Sequence, residues 1–270
     1  MRIFLALVLL MATPARALDL SIAGKVEQGG LIVGTAPPGS SVTAFERRFP
    51  VTADGTFFVG LGRDAPAKIT LKVDAPTGET QTLALDVARR DWRIDKVDGV
   101  PQNLVTPDPQ TEARIAEDSK LLRAARAIFV SEAHFRTGFI RPAEGRISGT
   151  YGNQRILNGT PRNVHAGLDI AAPTGTPIRA AADGVVTLAH AAMVMSGGTV
   201  LVNHGYGLQT SYIHMSRIDV RDGQRVRQGE VIGAIGATGR VTGPHLHFSV
   251  LWFDTSLDPA TVLALLPAKG

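Results

Sequence analysis

His245-Leu246-His247-Phe248-Ser249-Val250-Leu251-Trp252 is a run of apolar and aromatic residues that reads as a β-strand. A strand turns successive side chains to opposite faces. His245 and His247 therefore share one face, and Leu246 and Phe248 share the other. Gly243-Pro244 just before it sets a turn that brings the imidazole face close to other backbone. Similar runs lie upstream at Gly184 to Ala189, Thr199 to Asn203, Leu208 to Ile213 and Val231 to Ile235, separated by turns such as Asp183-Gly184 and Asp222-Gly223. Together they predict an antiparallel, all-β C-terminal domain over residues 141–270. A short capped helix from Asp258-Pro259-Ala260 to Leu266 closes it.

Towards the N-terminus the text remains β-like. Leu31-Ile32-Val33, Ser41 to Phe45, Thr56 to Val59 and Ile69 to Val73 are separated by Ala36-Pro37-Pro38-Gly39, Ala53-Asp54-Gly55 and Pro76-Thr77-Gly78. This spacing predicts a small β-sandwich over residues 18–100. It holds no cluster that looks chemical, and a spacer or docking role suits it. Residues 101–140 read as a linker helix, with Thr106 as N-cap and Pro107 at the first helical position. In the run from Thr111 to Phe129, Ile115, Leu122 and Phe129 fall on one face. The chain opens with Met1-Arg2, an apolar stretch from Ile3 to Ala12 and the triplet Ala15-Arg16-Ala17. This predicts a secretory signal, residues 1–17, cut after Ala17. The apolar stretch is too short for a bilayer, which needs about 20 residues. The expectation is a protein that does not span the membrane, soluble after signal removal, and periplasmic or secreted.

Composition supports a mostly β chain with a real core. Of 270 residues 44% are hydrophobic, 19% charged and only 6% aromatic, with 29 Gly and 16 Pro. The absence of cysteine excludes disulfides, thiolate metal sites and a Cys nucleophile. The net charge of +4 includes Arg2 and Arg16 of the predicted signal, so the mature excess is small and no nucleic-acid partner is expected.

The chemistry rests on histidine. On the run His165-Ala166-Gly167-Leu168-Asp169-Ile170, strand alternation would put His165 and Asp169 on one face. His165, Asp169 and one of His245 and His247 supply three nitrogen and oxygen ligands, the number that a catalytic zinc ion uses while leaving a position for water. Spacing alone does not choose between His245 and His247. The His-Glu-x-x-His pattern is absent, so a neutral histidine is the available base, and His245 and His214 are the candidates. His134, His190 and His204 are taken as structural or surface residues.

These residues resemble the lysostaphin-type (LytM-like) zinc metallopeptidases that act on peptidoglycan. The likeness runs from about Gly145 to Pro259. It is carried by Gly145-Arg146-Ile147-Ser148-Gly149-Thr150-Tyr151-Gly152, His165-x-x-x-Asp169, Ala171-Ala172-Pro173-Thr174-Gly175-Thr176-Pro177, Ala181-Ala182-Asp183-Gly184, Tyr212-Ile213-His214-Met215-Ser216 and Gly239 to Phe248. The resemblance implies one Zn2+ per chain on His165, Asp169 and His247, with His214 and His245 as catalytic histidines. It also implies a zinc metalloendopeptidase that hydrolyses stem peptides or cross-links of peptidoglycan in cell-wall remodelling, with room for a regulatory protein partner. One departure is Asn203-His204-Gly205, where an Asp often precedes His-Gly. The alternative within the same resemblance is a non-catalytic activator of cell-wall amidases, whose usual sign would be lost ligands. A biotin or lipoyl carrier is excluded because the C-terminal domain has only Lys269, and no Gly-x-Ser-x-Gly elbow supports a serine hydrolase.

Overall fold

A computed structural model describes residues 18–97, 108–157, 159–161 and 163–268. The predicted signal, the helix start at Thr106-Pro107 and Lys269 lie outside the described residues. In the N-terminal part β1 (Ser21–Ala23), β2 (Leu31–Thr35) and β5 (Thr56–Gly60) form one antiparallel sheet. The strands β3 (Ser41–Ala44), β4 (Arg47–Pro50), β6 (Lys68–Asp74) and β7 (Thr80–Asp86) form a second, in the order β4-β3-β6-β7. The pattern of β6 explains its placement: Ile69, Leu71 and Val73 are buried while Lys68, Thr70 and Lys72 face solvent.

The connecting helix α1 (Pro109–Ala127) starts later than Thr106 predicts. Asp108 is the N-cap, and its carboxylate accepts from the backbone N–H groups of Gln110 and Thr111, with Pro109 in the first turn. Helix α1 packs on the strand Gly184–Met193, with Ala125 buried and Ile115 and Leu122 half-buried. Phe129 lies beyond the helix end and is exposed. A short 3-10 turn, His134–Thr137, follows.

The C-terminal part is one large antiparallel sheet built from β9 (Arg146–Gly149), β12 (Leu168–Ala171), β13 (Pro177–Arg179), β14 (Gly184–Met193), β15 (Gly197–Gly205), β16 (Leu208–Ile218), β17 (Arg225–Val226), β18 (Val231–Ile235), β19 (His245–Trp252) and β20 (Thr255–Leu257). Its main path runs β17-β14-β15-β16-β19-β12-β9. The central strand β15 is buried along its whole length, and its polar Thr199, Asn203 and His204 each find a backbone carbonyl to donate to. Asp258 caps the closing helix α2 (Pro259–Leu265). A small fourth sheet joins β8 (Ile94–Val97), in parallel, to the hairpin of β10 (Gln154–Leu157) and β11 (Thr160–Pro161). The chain is thus mostly β with two α-helices among the described residues. Its N-terminal and C-terminal sheets share one continuous core, which includes Leu31, Phe58, Leu71, Ile170, Phe248 and Trp252.

Candidate metal centre

Register brings the site together. On β12 and β19 Asp169 lies opposite His247, and on β16 and β19 Ile213 lies opposite His247, so one strand carries its imidazoles between two neighbours. His245 and His247 occupy the same face of β19, as alternation predicts, with Leu246 and Phe248 fully buried beneath. His165 differs from expectation. β12 begins only at Leu168, so His165 precedes the strand and does not share its alternation. The chain bends at Gly167, where it runs close to β19: a Cβ there would stand 2.4 Å from Phe248 O and 2.7 Å from His247 Nε2. The chain instead lays His165 along the turn after β9, where Gly152 N–H donates to His165 O at 2.9 Å and His165 N–H donates to Asn153 O at 2.8 Å.

Three donor atoms converge. His165 Nε2 is 2.9 Å from Asp169 Oδ1, His247 Nδ1 is 2.8 Å from the same oxygen, and the two ring nitrogens are 3.0 Å apart. The opposite sides of both rings have oxygen partners. His165 Nδ1 lies 2.8 Å from Thr150 O; a carbonyl only accepts, so Nδ1 carries the hydrogen and Nε2 presents its lone pair. His247 Nε2 lies 3.0 Å from Ser249 Oγ, which accepts the ring hydrogen when Nδ1 gives its lone pair elsewhere. Burial alone would raise the Asp169 carboxyl, but the adjoining imidazoles of His165 and His247 outweigh it and hold it well below the usual carboxylate range. Burial pushes the His247 imidazole down despite the neighbouring carboxylate. Asp169 is therefore ionised and His247 neutral, the states that a metal cation requires. Two nitrogens and one carboxylate oxygen, each orientable by an oxygen acceptor or a strand, fit a zinc ion.

The other two predicted residues stand beside this cluster. His245 Nε2 is 3.8 Å from Asp169 Oδ1, and its Nδ1–H donates to Gly243 O at 2.9 Å. His214 sits at an irregularity of β16 with φ of +67°, a left-handed backbone costly for a non-glycine residue and held here by its N–H on Ser196 O at 2.8 Å. Its Nδ1–H donates to Thr238 O at 2.9 Å, and its ring centre is 4.8 Å from that of His245. Burial pulls the His214 imidazole down to about 4, so the ring is neutral at pH 7. All five predicted residues line one cleft of about 810 Å³. His204, in contrast, is fully buried elsewhere, with Nδ1–H on Asp183 O at 2.6 Å and Nε2 2.8 Å from Thr210 Oγ1. His134 lies 3.1 Å from Glu132, and His190 sits on β14.

Sequence reasoning missed the groups that orient these rings. Ser249 was accessible to it, being the next same-face residue after His247 on the strand. The carbonyls of Thr150, Thr238 and Gly243 carry no side-chain signature. Arg93, which also lines the cleft, comes from ahead of the stretch that carries the resemblance.

Comparison with known proteins follows the same lines. The Peptidase family M23 profile matches residues 163–259. The chain is 42% identical over 118 residues to the peptidoglycan DD-endopeptidase ShyC of Vibrio cholerae, covering 43% of this chain and 27% of the relative. It is 43% identical over 104 residues to the DD-carboxypeptidase/endopeptidase Mpg of Neisseria meningitidis serogroup B, covering 38% of this chain and 24% of that one. The chain thus spans about a quarter of the length of these curated relatives. The crystal structure of a candidate M23 peptidase from Pseudomonas aeruginosa superposes with a TM-score of 0.71 at 30% identity, covering 90% of this chain and 96% of that one.

Proposed function

As the chain belongs to peptidase family M23, we propose that it is a secreted or periplasmic zinc endopeptidase that hydrolyses peptide bonds in peptidoglycan. The observation that carries this reading is the convergence of His165 Nε2, Asp169 Oδ1 and His247 Nδ1 within 3.0 Å of one another, in a cleft that all three residues line. These three would hold the metal. A zinc ion with three protein ligands and an open position lowers the pKa of a bound water to about 7 and polarises a carbonyl. The peptidoglycan assignment draws on the names of the similar proteins, DD-endopeptidases among them. We further propose the domain division of the sequence analysis: a signal over 1–17, a β-sandwich over 18–100, a linker over 101–140 and the peptidase part over 141–270.

The protein's own residues divide the proton work. With Nδ1–H committed to Gly243 O, His245 has only its Nε2 lone pair towards the cleft. It accepts a proton from the attacking water at Nε2 and delivers it to the departing amide nitrogen. His214 is likewise an acceptor at Nε2 while neutral, because its hydrogen is held by Thr238 O. It can donate to the developing negative oxygen only as an imidazolium, whose extra proton would come from bulk water and return there after the carbonyl re-forms. The intact set of five residues gives no support to a non-catalytic activator.

The test is digestion of purified sacculi with and without a chelator, with products identified by mass. Chelator-sensitive release of cleaved peptides is expected. His247→Ala loses both zinc and activity, whereas His214→Ala keeps zinc and loses about 10²–10³ in turnover. Chelator-resistant cleavage, or no cleavage by the zinc-loaded protein, would refute the assignment.

A further inference from the structure

His165 is the one proposed ligand that no strand of the large sheet carries; the turn Thr150–Asn153 holds it through Thr150 O, Gly152 N–H and Asn153 O. That turn is itself gripped from the N-terminal part of the chain. Arg63, in the loop between β5 and β6, donates from Nε to Gly152 O at 2.8 Å, and its side chain is only 14% exposed. Trp92, just ahead of β8, packs edge-on to buried Tyr151 with ring centres 5.6 Å apart. Its ring lies so close over Gly152 that a Cβ there would stand 2.0 Å from Trp92 Cε3. Two guanidinium groups stack over the indole, Arg90 at 4.5 Å and Arg63 at 5.6 Å from the ring centre. Arg90 is tied in turn to Asp258 at 2.9 Å, and Tyr151 Oη–H donates to Ser256 O at 2.8 Å. The turn therefore has little freedom to shift, and neither does the imidazole that it carries.

We propose that Arg63 and Trp92 are positioning residues for the metal centre, which they set by clamping the Tyr151–Gly152 turn that orients His165. The N-terminal sheets would then be a structural part of the metal site rather than a detached spacer. The inference rests on His165 being a metal ligand. Groups that orient ligands from behind influence metal affinity by about 10–100-fold. Arg63 acts one step further back, through Gly152 and then His165, so the lower end of that range applies.

The experiment uses the full chain and zinc alone, with affinity measured by competition against a chromogenic chelator and fold stability followed by thermal melting. Arg63→Ala is expected to weaken zinc binding about tenfold, with a parallel loss in the rate of sacculus digestion. Arg63→Lys, which keeps one donor for Gly152 O, should recover most of the affinity. Arg47→Ala is the control. It removes another contact between the N-terminal and C-terminal sheets, Arg47 to Asp254 at 3.2 Å, far along the sequence from the turn. It should lower stability without changing zinc affinity. Should Arg63→Ala fail to fold, Trp92→Phe provides the same comparison with a smaller ring over Gly152. Zinc affinity within twofold of the parent in a folded Arg63 or Trp92 variant overturns the proposal while leaving the peptidase reading intact. A parent protein that binds no zinc overturns both.

Discussion

Removing one hydroxyl should cost the metal centre a measurable share of its affinity. Ser249 is 7% exposed, and its Oγ is 3.0 Å from His247 Nε2. When His247 Nδ1 gives its lone pair to a cation, the ring hydrogen must reside on Nε2, where Ser249 Oγ accepts it. Gly167 lies over the same spot: a Cβ added to it would be 2.7 Å from both His247 Nε2 and Ser249 Oγ. In Ser249→Ala the metal-bound state would leave an N–H buried without its partner, a penalty of about 1–3 kcal/mol. The metal-free state escapes this cost by moving the hydrogen to Nδ1, where Asp169 Oδ1 accepts it at 2.8 Å. The whole penalty therefore falls on binding, and zinc affinity should drop about 5- to 150-fold, at 1.4 kcal/mol per tenfold. Chelator competition measures the loss, and nitrogen chemical shifts of the His247 ring in metal-free protein report the change of tautomer. A folded Ser249→Ala protein with zinc affinity within twofold of the parent would refute the argument that Ser249 orients this ligand.

Gly149→Ala should damage the site while sparing the fold: a Cβ there falls 2.4 Å from Asp169 Oδ2, so the carboxylate must turn away. We expect zinc binding about 10–100-fold weaker with a nearly unchanged melting temperature. His204, held by burial down to about 4, should make stability depend on pH. Its folded value lies below the unfolded value of about 6.5, so the unfolded chain takes up the proton first. Stability from this residue is then complete above pH 6.5 and declines towards pH 4, by about 2–3 kcal/mol at the acid end of that window. Urea titrations of metal-free protein at several pH values test this, and a flat profile across that window would contradict it. Trp252→Ala should lower the unfolding free energy by about 3–5 kcal/mol. The ring is 2% exposed and meets Phe49 edge-on at 5.4 Å, so the substitution opens the contact between the N-terminal and C-terminal sheets; urea unfolding reads the loss.

Much of this was legible in the residue order because strands encode their faces. The alternation at His245–Phe248 correctly placed two imidazoles on one side of β19, and Val231 to Ile235 and His245 to Trp252 read off their strands residue by residue. Alternation misled at His165. The chain bends at Gly167, where it runs close to Phe248 O, an approach between residues far apart in the chain that no local pattern encodes. The pairing of Asp169 with His247 is likewise a matter of register between distant strands, set by buried neighbours such as Ile170 and Leu246. At the helix start, Thr106-Pro107 and Asp108-Pro109 carry the same local signal two residues apart. In the structure it is the Asp108 carboxylate that caps two backbone N–H groups. The carbonyls that fix the three ring orientations are invisible to any reading of side chains, since every residue type has one.

Strand β19 has two ends with different duties: the imidazole pair at one, and at the other Trp252, lodged against Phe49 from the N-terminal sheets. This bears on any attempt to reuse the C-terminal half as an exchangeable cassette. Cutting the gene ahead of residue 141 would leave an indole and the neighbouring Leu257 bare to water, a greasy scar inviting self-association. A protein engineer would have to graft a replacement cover over that end, or rewrite both positions in hydrophilic residues, before the excised half could be handled alone.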